Sequence, residues 1–146
     1  MSLSTTALHG LHEELGGRLV DFAGWELPVQ FAGIIAEHQH TRKSASLFDV
    51  SHMGQVLIYP ESGNLADAAA ALETLIPASV AGLKEGRQRY GLFTDENGGV
   101  LDDLMFANHG DRYFLVVNAA RSDHDLGLLR TPARVTVEHI TDRSLL

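Results

Sequence analysis

The chain reads as α+β: an antiparallel sheet flanked by helices in the order β-α-β-β-β-α-β. Three observations predict this. Extended runs at Gln88 to Thr94, Val100 to Ala107 and Arg112 to Asn118 are joined by Asp95-Glu96-Asn97-Gly98-Gly99 and Asn108-His109-Gly110-Asp111, turns rich in residues that tolerate positive φ. Such runs form an antiparallel meander. Helical spacing marks the alanine-rich Asn64 to Ile76, ended by Pro77, and again Arg121 to Leu129. The chain has 146 residues, 45% hydrophobic and 21% charged, enough for one ordinary domain with a real core. Helices packed on one face of the sheet are the natural arrangement.

In chain order, Ser4 to Leu15 places Ala7, Leu8, Leu11 and Leu15 at helical spacing, with Gly16-Gly17 as a stop. Arg18 to Phe22 alternates as a strand. The Gly24-Trp25-Glu26-Leu27-Pro28 stretch is expected to break regular structure, because Pro28 pushes its predecessor out of the helical region. A second helix is expected over Ile34 to Leu47. Val50 to Tyr59 then opens the sheet, and Arg134 to Ile140 closes it. The final Ser144-Leu145-Leu146 begins an apolar run that stops at once, as expected of a piece of a longer protein.

Composition excludes several classes of function. A net charge of -8 argues against a nucleic-acid binder, which needs a basic face to release phosphate counterions. The absence of cysteine removes thiol catalysis and sulfur-ligated zinc and fits a reducing, cytoplasmic setting. No apolar run reaches the roughly 20 residues of a membrane helix, and no secretory signal pattern is present. Eight histidines invite a metal reading that fails on geometry. His38 and His40 would lie about 200° apart around a helix, and His9 and His12 have no matching carboxylate pair. We expect no metal site. Ser51-His52 lacks a strained turn to present a nucleophile, which makes Ser51 a capping serine. No glycine pattern forms a phosphate loop.

The chemistry concentrates in Gly98-Gly99-Val100-Leu101-Asp102-Asp103-Leu104-Met105-Phe106. Two adjacent acids interrupt a hydrophobic strand. Alternation places Asp102 on the face of Val100, Leu104 and Phe106, and Asp103 with Leu101 and Met105. An acid among apolar neighbours is either bonded to backbone, here the amides of the tight turn, or kept charged to meet a positive or proton-bearing ligand. Trp25 and Tyr90 read by themselves as structural aromatics, and Asn118 as a helix cap.

The order of these pieces carries more. Asp21-Phe22-Ala23-Gly24-Trp25-Glu26-Leu27-Pro28, Glu37-His38, Phe48-Asp49-Val50-Ser51-His52-Met53-Gly54, Gly98-Gly99-Val100-Leu101-Asp102-Asp103 and Val116-Val117-Asn118-Ala119 together resemble the aminomethyltransferase (T-protein) of the glycine cleavage system. The resemblance runs from about Ala7 to Leu146 and covers less than half of that family's usual length. It departs at Glu26-Leu27-Pro28 and at Asp95, where relatives often carry other residues. It implies an N-terminal portion of a tetrahydrofolate-dependent enzyme that takes the aminomethyl carbon from the lipoyl arm of the H-protein, releases ammonia and forms methylenetetrahydrofolate. An ionised carboxylate suits an iminium-like carbon captured by a folate nitrogen, since it stabilises the cation and accepts a proton. The resemblance assigns that role to Asp102, places Met53, Tyr90 and Asn118 with it around the pterin, and leaves Asp103 as a structural neighbour. It further implies that residues 1–49 pack with downstream chain, that 50–146 form the folate-pocket subdomain, and that this chain alone is inactive and dimerises through exposed core surface. A related folate-dependent transferase or demethylase, or a non-catalytic binding module of the same fold, are the alternative readings.

Overall fold

In a computed structural model, residues 2–146 are described, and they divide into two compact units, 2–52 with 142–146, and 53–141. In the first unit, helix α1 (His9–Glu14) is followed by strands β1 (Leu19–Phe22) and β2 (Trp25–Pro28) and by helix α2 (Ile34–Lys43). The stretch expected to be irregular is therefore a strand. Gly24 at φ +82° supplies the reversal, and the β1–β2 hairpin pairs Phe22 with Trp25 and Leu19 with Pro28. Pro28 sits at the strand's end, where a missing donor is tolerated. The first helix is also shorter than its spacing suggested: Ser4 instead bridges to Trp25. At the start of α2, Glu37 accepts hydrogen bonds from the backbone of Phe31 and Gly33, which holds its carboxyl below the usual range.

Hydrogen bonds between polar side chains supply much of the order in this unit. Asp49 accepts from Thr6 at 2.7 Å and pairs with His12 at 2.8 Å, while His9 pairs with Glu26 at 2.8 Å. Burial works to raise the Asp49 pKa, but the hydrogen bonds from Ser51, Thr6 and His12 outweigh it and bring the carboxyl down to about 2. Ser51 caps no helix; its hydroxyl accepts from the backbone of Leu145. Among the described residues Leu27 is the one buried aliphatic of this unit, and Leu15, Ile34, Ile35, Leu47 and Phe48 lie exposed.

The second unit holds the expected sheet. Strand β3 (Gly54–Pro60) leads into α3 (Leu65–Glu73), then β4 (Gln88–Thr94), β5 (Val100–Asn108) and β6 (Tyr113–Val117), a 3-10 turn at Ala119–Arg121, α4 (Ser122–Leu129) and β7 (Val135–Ile140). The strand order is β4-β5-β6-β3-β7, antiparallel throughout. Asn64 caps α3 through its side chain, accepting from the Ala66 amide. One continuous core joins Ala68, Ala69 and Leu72 of α3 and Leu126 and Leu129 of α4 to Val56, Ile58, Phe93, Leu104, Phe106, Leu115 and Val117 of the sheet. Both helices thus cover the same face of the sheet.

Candidate functional site

The acidic strand is set up by its turn. Asp95 Oδ1 accepts from the amides of Asn97 and Gly99, both at 2.8 Å, and Gly98 takes φ +81°. Asp95 therefore serves the turn, and Asp102 does not. The β4–β5 register slips between Phe93 and Thr94, so the strand enters through a bulge immediately ahead of Asp102. From there Asp102 is opposite Phe93, and Asp103 opposite Leu92. Leu104 and Phe106 are buried as expected, while Val100 is exposed at the strand's start.

Asn118 does not act as a helix cap. It makes no capping bond, and its Nδ2 donates to Asp102 Oδ1 at 3.0 Å, to Asp103 Oδ1 at 3.0 Å and to the Asp103 carbonyl at 3.2 Å. One amide thus grips both carboxylates from the neighbouring strand. Such close carboxylates would repel one another without a shared donor. Met53 precedes Gly54, whose register partner Val117 directly precedes Asn118, and Val117 also pairs with Leu104, the residue after Asp103. Met53, Asn118 and the acid pair therefore gather at one end of three adjacent strands. Tyr90 lies two residues further in, opposite Met105 and well exposed, on the Asp103 side of the sheet. Asp102 lies on the other side, toward the helices.

On that side stands a residue the sequence reading missed. Asp125 of α4 is fully buried, and its carboxyl lies within hydrogen-bonding reach of Asp102. His124 Nδ1 lies 3.1 Å from Asp125 Oδ1. Burial pushes the Asp125 carboxyl up to about 6; the His124 hydrogen bond opposes the rise and Asp102 adds to it. The signal was present in the sequence: Asp125 precedes Leu129 by four residues, on the helix's apolar stripe. Close by, Arg121 donates to the Leu101 carbonyl. Among the described residues no group of three metal-ligating side chains converges.

Set beside known proteins, the sequence matches the GCVT N-terminal domain over residues 8–146. The chain belongs to the GCVT N-terminal domain family. Within it, the chain is 45% identical over 125 residues to a mitochondrial aminomethyltransferase of Dictyostelium discoideum, covering 85% of this chain and 30% of that protein. It is 43% identical over 137 residues to the aminomethyltransferase of Bacillus subtilis, covering 93% of this chain and 36% of that one. The crystal structure of glycine cleavage system aminomethyltransferase T from Bartonella henselae superposes with a TM-score of 0.86 at 34% identity, over 96% of this chain and 39% of that one. The chain spans about a third of the length of these GCVT relatives. The fold class expected from the sequence is the one observed, shared with this structure. No helix among the described residues is long and apolar enough to cross a membrane.

Proposed function

We propose that this chain forms the folate-side portion of an aminomethyltransferase of the glycine cleavage system, which moves the aminomethyl carbon from lipoyl H-protein to tetrahydrofolate and releases ammonia. The observation that carries the proposal is the Asp102–Asp103–Asn118 cluster: two carboxylates held at fixed positions by one amide, at a strand end beside Met53. Fixed negative charge is what a nascent iminium carbon requires, and it needs no reorganisation as the charge develops. Asp102 is the proposed catalytic carboxylate, with Met53, Tyr90 and Asn118 around the pterin. Tetrahydrofolate enters as a substrate, and the absence of cysteine fits work in a reducing cytoplasm.

A second assignment within the same function draws on the register: Asp103, not Asp102, shares the side of Tyr90 and Met105. The two assignments separate in one experiment. In the complete protein, H-protein-dependent formation of methylenetetrahydrofolate is measured for the wild type, D102N and D103N. Loss of about 100-fold or more in kcat marks the base; the variant that retains most activity excludes its residue. This chain by itself gives no turnover in the same assay. Activity lost in neither variant overturns the assignment of the cluster, and no activity in the complete wild-type protein favours a binding module.

A further inference from the structure

The carboxyls of Asp102 and Asp125 meet where the strand end approaches α4, with Asp103 on the strand's other face, and the donors around them are few. Asn118 Nδ2 serves Asp102 Oδ1 and Asp103 Oδ1, and His124 stands at Asp125 Oδ1. Arg121, the cation of the 3-10 turn, is directed to the Leu101 carbonyl. One oxygen of each remaining pair is left over: Asp102 Oδ2 and Asp125 Oδ2 are both buried with no N–H or O–H donor. Yet the two side chains are hydrogen-bonding neighbours. Two carboxylate oxygens are both acceptors, so they satisfy each other only if a proton lies between them. Ionising both would also place two negative charges side by side in a buried site.

We propose that Asp125 and Asp102 share one proton as an acid–carboxylate pair, and that Asp125 is thereby a positioning residue that fixes the charge and direction of Asp102. Asp125 donates its O–H to Asp102 Oδ2, while Asn118 donates to Oδ1; the Asp102 carboxylate is then held at both oxygens. While Asp125 keeps that proton, the Asp102–Asp125 pair carries a single negative charge. Burial first, and then the neighbouring Asp102, make Asp125 hold its proton more tightly than a lone aspartate does. For the function proposed above, on which only this last consequence rests, a proton leaves the captured amine as its N–H bond breaks, the electron pair stays on nitrogen, and an O–H bond forms on the pair.

The pairing is tested in this chain without folate. Carboxyl-carbon NMR of aspartate-labelled protein is followed from about pH 3 to about pH 9, a range that spans ordinary and raised carboxyl ionisation. Asp125 is expected to titrate in more than one step, and D102N is expected to collapse its curve to a single step. A one-step Asp125 curve in the wild type overturns the proposal, whether or not the variants fold. The positioning role is read in the complete enzyme. D125N is expected to move the acid limb of the kcat profile away from the pH of about 6 at which Asp125 loses its proton, with KM for tetrahydrofolate changed less than about twofold. An unmoved limb overturns positioning. Complete wild-type protein that makes no methylenetetrahydrofolate counts against the proposed function alone, and the NMR titration still decides the pair.

Discussion

Two aspartates show how surroundings divide one residue type into opposite electrostatic roles. Asp49 collects hydrogen bonds from Thr6, His12 and Ser51 and is held down to about 2, whereas Asp125 is buried beside another acid and pushed up to about 6. Their effects on stability therefore oppose each other. Unfolded Asp49 binds its proton near pH 3.8, so its contribution is complete above that value and lost as pH falls toward 2. Asp125 binds its proton more tightly folded than unfolded, so its contribution is complete below pH 3.8 and lost as pH rises through about 6. Each is worth roughly 2 to 3 kcal/mol at most. Urea unfolding across this range is expected to show D49N flattening the slope below pH 4 and D125N flattening it between about 4 and 6. Slopes unchanged in either variant contradict the corresponding assignment.

At the scale of single elements, strand β4 depends on close approach. A Cβ built on Gly91 would lie 2.9 Å from Phe106 Cε1 and 3.1 Å from Ile76 Cγ2, and both side chains are buried in the core. Neither can retreat without displacing neighbours in a close-packed interior. G91A is expected to lower stability by about 1 to 3 kcal/mol, read as a fall in Tm with the folded circular dichroism spectrum retained. An unchanged Tm would mean that the β4–β5 pair has slack at this point. The elements also show which sequence signals were readable. The meander and both of its flanking helices follow from periodicity and turn residues. The β1–β2 hairpin did not follow, because Pro28 reads as a breaker unless the strand is known to end there.

Across the whole molecule, apolar burial is uneven. The 53–141 unit has a continuous core, while the unit of residues 2–52 and 142–146 leaves Leu15, Ile34, Ile35, Leu47 and Phe48 exposed and contains an apolar cavity of about 900 Å³ lined by Leu11, Leu15, Phe31 and Phe48 among others. Apolar surface on that scale seeks cover. The chain alone is expected to self-associate with rising concentration in sedimentation velocity, and replacing Leu15 and Phe48 by serine is expected to return it to monomer. A monomer throughout, up to about millimolar concentration, would show that this surface is too weakly complementary for a second copy.

By itself, the sequence determined the α+β class, the strand and helix order of the sheet unit, and the acid pair at Asp102 and Asp103, because periodicity, turn chemistry and an acid among apolar residues are local properties. Tertiary structure alone decided what those acids meet. Asn118 reads as a cap until the register sets it between them, Asp95 takes the turn that Asp102 was free to serve, and Asp125 joins from a helix 23 residues away. Strand pairing and helix packing bring those groups together across long stretches of chain, and no local pattern encodes distances of that kind.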